Sequence, residues 1–189
     1  MDIKEEKKLL RKKIKAKIKE LPKEYKETAD YKILAKLLTL PEYQKAETVF
    51  CFVGTKNEIN TRPFLEQVLA DGKVLAVPLC TGQGIMVAKR IYNLSELKSG
   101  AYDILEPEVT SETIELNENS FAVIPCLSCD HKGNRLGHGG GYYDRYFTNG
   151  KVASALVCWE KIMEEQIPTE ETDHCFPIVV TEDGIFSNN

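Results

Sequence analysis

TVFCFVGTKNEINTRPFLEQVLADGKVLAVP, residues 48–78, sets the fold class. Thr48 to Val53 is a short run of strand formers. Thr61-Arg62-Pro63 opens a helix, because proline fits a first turn whose amides have no intrahelical partner. Phe64, Leu65, Val68 and Leu69 fall on the inner side of that helix. Gly72 ends it, and Lys73 to Pro78 reads as the next strand. A strand, helix, strand order with short links is a parallel crossover unit.

Upstream, residues 2–20 read as a helix with Ile3, Leu10, Ile14 and Ile18 on one face. Asp2 followed by Glu5 resembles a capping box. Lys4, Lys7, Arg11 and Lys15 form a second, basic stripe. Another helix is expected over about 25–39, before Pro41. Downstream, Gly84 to Lys89 is a candidate strand, and residues 90–120 are polar and turn-rich. Phe121 to Pro125 is a nearly continuous apolar run, as expected for a strand covered on both faces. Val152 to Cys158 and Ile178 to Thr181 read alike. No repeat, low-complexity tract or linker interrupts the 189 residues. The expectation is one α/β domain over residues 1–189, three-layered and Rossmann-like, with a mostly parallel central sheet flanked by helices.

The formal net charge of −4 argues against a general grip on nucleic acid, so an anionic ligand needs a local cluster of cations. No run of 18 apolar residues exists, so no membrane-spanning helix is expected. The start, MDIKEEKKLLRKK, lacks the apolar core of a signal peptide, and a cytoplasmic location is expected. Cys51 in VFCFV and Cys158 in ALVCW read as small buried hydrophobes in a reducing compartment. Cys126-x-x-Cys129 with His131 raises a zinc reading. No second cysteine pair stands at a finger-like distance, and Cys158 lies on a predicted core strand, so packing is the expected role.

The chemistry concentrates in Gly133-Asn134-Arg135-Leu136-Gly137-His138-Gly139-Gly140-Gly141-Tyr142-Tyr143-Asp144-Arg145, which follows a predicted buried strand. Its glycines let backbone N–H groups approach a ligand closely and permit the positive φ values that aim them inward. Tyr142 to Phe147 can begin a helix whose positive end faces the same ligand. Arg135 adds a planar cation suited to phosphate oxygens, and Asp144 a hard oxygen ligand for Mg2+. The plainer alternative is a mobile surface loop over packed aromatics. Neither G-x-x-x-x-G-K-[ST] nor G-x-G-x-x-G fits the segment.

RLGHGGGYYDRYF, residues 135–147, resembles the RLGxGxGYYD signature of the 5-formyltetrahydrofolate cyclo-ligase family. KKLLR at 7–11 resembles that family's Lys-x-x-x-Arg nucleotide motif, and NEI at 57–59 its folate-contacting acidic segment. ILEP at 104–107 and IPTEETD at 167–173 match in the same order. The resemblance spans essentially the whole chain, more weakly near 25–45 and 108–120. His138 departs from the commoner Tyr, Phe or Arg.

The resemblance implies an ATP-dependent ligase that forms 5,10-methenyltetrahydrofolate from 5-formyltetrahydrofolate, releasing ADP and phosphate. It implies ATP contacts for Lys7, Arg11, Arg135, Leu136, Gly137, His138, Gly139, Gly140, Gly141, Tyr142 and Tyr143. Read alone, Lys7 and Arg11 belong to a solvated stripe, and their spacing shows only that they share a helix face. Folate contacts are implied for Val53, Glu58, Tyr102, His138, Gly139, Gly140, Gly141 and Tyr142. Glu58 reads alone as an exposed loop glutamate, while Tyr102 leaves stacking on a pterin and core packing both open. Catalytic roles fall to Arg135 and Asp144, and Mg2+ to Asp144 and Asp173. Small-molecule partners, a monomer, no nucleic acid and no membrane complete the expectation. The alternatives are a non-catalytic folate- or nucleotide-binding protein, and an ATP-dependent ligase of another substrate.

Overall fold

A computed structural model describes residues 2–100, 104–148 and 150–188. In chain order these hold α1 (Ile3–Glu20), α2 (Lys23–Thr39), α3 (Pro41–Lys45), β1 (Thr48–Cys51), α4 (Arg62–Ala70), β2 (Val74–Gly82) and β3 (Ile85–Ile91). Then come β4 (Lys98–Ser99), β5 (Leu105–Glu106), β6 (Thr113–Ile114), β7 (Ser120–Pro125), β8 (Ser128–Cys129), β9 (Arg135–Leu136) and α5 (Tyr142–Tyr146). β10 (Ala153–Val157), β11 (Ile178–Val180) and β12 (Ile185–Ser187) follow.

The crossover read from residues 48–78 is present. β1 and β2 pair in parallel, Thr48 opposite Val74, with α4 between them in sequence. Phe64, Leu65 and Val68 bury the inner face of α4, while Leu69 is only half-buried. Each full burial of such a side chain contributes roughly 1.5–3 kcal/mol.

The main sheet runs β12-β11-β10-β7-β1-β2-β3-β6. Its interior pairs, from β11 through β2, are parallel, and the pairs outside them are antiparallel. From β1 the chain steps to β2 on one side and later to β7, β10 and β11 on the other. The gap between β1 and β7 is therefore a topological switch point, and ligands of open α/β sheets bind beyond the carboxyl ends of strands there. All six residues of β7 are buried, as a strand covered on both faces requires.

Some expected details differ. Asp2 caps α1 only through its backbone, and the Glu5 side chain turns to Lys8 instead of closing a capping box. Ile3 is exposed, whereas Lys7 shares the buried face with Ile14 and Ile18. The second helix starts earlier, at Lys23, and β2 extends past Pro78 to Gly82.

Asp30 on α2 is buried and locks this helix to the sheet ends. It accepts from Trp159 Nε1 at 2.7 Å and from Asn60 N at 3.1 Å. Burial pushes its carboxyl pKa up, against those donors. Asp30→Ala strands an indole N–H and an amide N–H. The expected loss is about 3 kcal/mol in urea denaturation. A loss under about 0.5 kcal/mol refutes this account.

Candidate functional site

Two clefts meet at the carboxyl edge of β1 and β7. The larger, of about 750 Å³, is lined mainly by apolar groups, among them Phe52, Val53, Pro78, Met86, Leu105 and Tyr143. That volume suits a small-molecule ligand. The second, of about 340 Å³, is lined by Lys4, Lys7, Arg11, Arg135 and Arg145 together with Asp144, Glu170 and Asp173. Arg135 and Gly141 line both.

Local backbone chemistry places Arg135. The buried Asp130 carboxylate accepts from Lys132 N, Asn134 N, Asn134 Nδ2 and Ile167 N at 2.9–3.1 Å. One side chain thus shapes the β8–β9 hairpin and ties it to the segment that carries Glu170 and Asp173. Gly133 is required at the turn, because its φ is +85° and an added Cβ would sit 1.8 Å from Phe176 O. Arg135 leaves the hairpin with its side chain only 6% exposed. Its Nε donates to Pro125 O at 2.8 Å, Nη1 donates to Asp144 at 3.1 Å, and the guanidinium lies 5.1 Å from the Tyr143 ring centre.

The glycine stretch passes between the clefts. Gly141 takes a left-handed conformation, φ +64°, and starts α5. That helix has five residues, so its dipole is that of a single short turn. Arg11 Nε donates to Gly137 O at 2.8 Å, which brings α1 onto the loop. Arg145 donates to Gly84 O and Gly140 O.

Lys7 is buried in the wall of the basic cleft. Its ammonium contacts Asp173 at 2.5 Å and Glu170 at 3.0 Å. Burial works against the charge, but the hydrogen bonds to both carboxylates outweigh it and raise the pKa above the usual lysine range. Lys8, its neighbour in KKLLR, points to solvent and contacts Glu5.

Glu58 faces the larger cleft. Its carboxylate accepts from Thr55 N at 3.0 Å and lies 3.3 Å from His138 Nε2. Burial opposes ionisation, yet the contacts with His138 and Thr55 prevail and hold the pKa below the usual glutamate range. Glu58 is thus a carboxylate at neutral pH.

Of the residues singled out from sequence, Lys7, Arg11, Arg135, Leu136, Gly137, Gly139 and Gly141 line the basic cleft with Asp144 and Asp173. Val53, Glu58, His138, Gly140, Tyr142 and Tyr143 line the larger one. His138, Gly140, Tyr142 and Tyr143 therefore stand on the apolar side rather than beside the cations, and Gly139 stands on the basic side. Tyr102 lies outside the described residues. Lys4, Glu170 and Arg145 were not given ligand roles. The signals were a lysine one turn before Lys7, a second acid three residues before Asp173, and an arginine directly after Asp144.

Cys51 and Cys158 are buried as expected, with one addition. Cys158 does pack in the core, but its sulfur joins those of Cys126 and Cys129, all within 4.8 Å of one another. His131 stands apart, against Phe186 and Glu160. Hydrogen bonds from Cys129 and Cys158 pull the Cys126 pKa well down, helped by the Arg135 charge.

A family model described as the 5-formyltetrahydrofolate cyclo-ligase family matches residues 3–182. The 5-formyltetrahydrofolate cyclo-ligase of Escherichia coli (strain K12) is 30% identical over 152 residues, covering 77% of this chain and 84% of that protein. The protein of that name from Mus musculus is 24% identical over 188 residues, 93% of each chain. The solved structure of Aquifex aeolicus 5,10-methenyltetrahydrofolate synthetase superposes with a TM-score of 0.83 at 30% identity, covering 96% of this chain and 92% of the other. The Mycoplasma pneumoniae 5,10-methenyltetrahydrofolate synthetase shares the fold, with a TM-score of 0.74 at 20% identity over 96% of this chain and 99% of that one.

Proposed function

The chain belongs to the 5-formyltetrahydrofolate cyclo-ligase family, and on that premise we propose that it converts 5-formyltetrahydrofolate and ATP to 5,10-methenyltetrahydrofolate, ADP and phosphate. The observation that carries this reading is the junction of an apolar cleft with a cationic one at Arg135. A pterin with its side chain fits the first, and a triphosphate the second. The cleft walls draw residues from Lys4 to Asp173, which supports one domain acting as one unit. No helix among the described residues is long and apolar enough to cross a membrane. The six free thiols suit the reducing cytoplasm we assign to it.

The chemistry needs charge control more than a protein nucleophile. N5 donates into the formyl group, so the carbon is a poor electrophile and oxide a poor leaving group. In the proposed reaction the formyl oxygen attacks the γ-phosphorus, and the bond to the bridging oxygen of ADP breaks. N10 then attacks the formyl carbon and loses its proton, and the carbon–oxygen bond breaks with phosphate as leaving group. In-line placement of the attacking and leaving oxygens is the main demand on the protein. Arg135, reaching the boundary between clefts, is suited to the charge on the transferring phosphoryl group. Arg11 and Lys7 are placed to hold the remaining phosphates. The loop from Gly137 to Gly141 brings backbone close to both ligands and excludes water between them.

The donor set of the basic cleft fits Mg2+, since Asp144, Asp173 and Glu170 present hard carboxylate oxygens next to the cations. Asp144 and Asp173 would hold the ion, which when bound neutralises phosphate charge.

Glu58 is assigned to the amino-pyrimidine edge of the pterin, as a carboxylate that accepts hydrogen bonds. Glu58→Gln is expected to raise KM for 5-formyltetrahydrofolate about tenfold to a hundredfold, the worth of one charge-assisted bond. Its lowered pKa has a second consequence. The stability contributed by this carboxylate is present above the unfolded value near 4.5 and is lost as pH falls through the lower folded value. Wild type should thus lose more stability than Glu58→Gln in that acid window, as followed by thermal melts. Parallel melts together with an unchanged KM would remove Glu58 from the site.

The deciding experiment supplies 5-formyltetrahydrofolate and Mg-ATP to the purified protein. Methenyl absorbance and ADP should appear in equal amounts. Folded protein that yields neither sinks the proposal, and folate binding without ATP hydrolysis would favour the non-catalytic alternative.

A further inference from the structure

Three sulfurs converge at the carboxyl ends of β7 and β10. Cys126 follows β7 and Cys158 follows β10, and these strands are parallel neighbours with Pro125 opposite Val157. Cys129 ends β8 and turns back toward them. The Sγ atoms of all three lie within 4.8 Å of one another. Cys129 and Cys158 are buried, and Cys126 is half-buried.

A single buried cysteine is ordinary packing, as Cys51 illustrates. Convergence of three from three segments is a different observation. Thiolates bound to zinc stand ~2.3 Å from the ion and hence about 4 Å from one another. Closing the observed triangle onto an ion takes less than about 1 Å of movement per pair. A small void of about 10 Å³ touches Cys126, Cys158 and Glu58. That is about the room one water-sized ligand needs. Sulfur donors select a soft or borderline ion over Mg2+, so this cluster is chemically distinct from the carboxylates of the basic cleft.

We propose that Cys126, Cys129 and Cys158 form a three-thiolate site for Zn2+, with the void beside Glu58 as the place of a fourth, exogenous ligand. Binding holds all three sulfurs as thiolates and releases to solvent the protons still on them, leaving a complex of net charge −1. The Arg135 guanidinium, bonded to the Pro125 carbonyl next in the chain, supplies nearby positive charge. This site does not depend on the proposed folate chemistry.

The reduced, full-length protein is titrated with Co2+ and then Zn2+. One equivalent of Co2+ should produce a thiolate-to-cobalt charge-transfer band with tetrahedral d–d bands, and Zn2+ should abolish both. Cys129→Ala should weaken Zn2+ binding by roughly a hundredfold or more, since even supporting contacts in metal sites cost about ten- to a hundredfold. Cys175→Ser, at an exposed cysteine, should leave it unchanged. Should Cys129→Ala fail to fold, zinc-edge X-ray absorption of the Zn-loaded wild type decides. Three sulfur neighbours at about 2.3 Å from the ion are expected. Absence of a stoichiometric band, a band indifferent to Cys129→Ala in a folded variant, or a zinc shell without three sulfurs overturns the proposal.

Discussion

Arg135→Ala is expected to lower kcat for methenyl formation about a thousandfold, the upper range for losing one preorganised donor to a developing charge. The residue stands on both clefts, so it is the one described cation placed to meet a phosphoryl group passing between them. Its orientation is fixed before any ligand arrives, by the Pro125 carbonyl, Asp144 and the Tyr143 ring. A donor held in this way does not need to reorganise during the reaction. Loss of the side chain also leaves Asp144 without its partner. Because that carboxylate is 18% exposed, the stability cost should stay near about 1–2 kcal/mol, well short of unfolding. Arg135→Lys separates charge from shape. Lysine carries the same charge but cannot reproduce the planar fork that serves carbonyl, carboxylate and ligand together, so it should recover less than about tenfold. Rapid-quench single turnovers with both ligands saturating read the step directly. A kcat within about threefold of wild type for Arg135→Ala would remove the residue from the chemistry.

Lys7→Met should raise KM for ATP about thirtyfold, as expected for one charge-assisted contact of roughly 2 kcal/mol. The same change sets Glu170 and Asp173 facing each other without their cation. Removing one member of a fully buried ion pair costs about 3–5 kcal/mol. Here Glu170 and Asp173 are 34% and 22% exposed, so solvent screens the repulsion and about 2 kcal/mol is expected. The two effects can be told apart. Glu170→Gln in the Lys7→Met background relieves the repulsion while sparing Asp173, and should restore most of the stability in urea. It should not restore ATP affinity, because the phosphate contact is still missing. Recovery of KM along with stability would make Lys7 a structural residue only.

The crossover at residues 48–78 was readable because its signals are local: proline and glycine bound the helix, and apolar runs mark the strands. The position of β7 was not readable. It pairs with β1 across some 70 residues of chain, and its apolar run states only that it is covered on both faces. Lys7 shows the limit most clearly. It falls between Ile3 and Leu10 at helical spacing, inside the apolar stripe of α1, which was a signal that it turns inward. Its partners, however, come from the far end of the sequence. The residue types of the glycine stretch were legible, but which cleft each faces was not. His138 and Tyr143 turn to the apolar side through contacts with Glu58 and Arg135 that no spacing rule contains. The convergence of the Cys126 pair with a third sulfur was hidden for a similar reason. That sulfur comes from Cys158 at the end of a neighbouring strand, while His131, nearby in sequence, stands apart.

The contact of Lys7 with Glu170 joins residues 163 positions apart. During synthesis α1 leaves the ribosome long before its anchoring acids do. The charged stripe of α1 keeps the waiting helix wet in the interval, while contacts of such high sequence separation slow the search for the native state. The sheet around β1 can assemble first, and the phosphate-facing wall closes only when Glu170 and Asp173 arrive. A nascent or truncated chain lacking them should therefore hold much of its sheet but leave Lys7 without its anchors and the nucleotide grip incomplete.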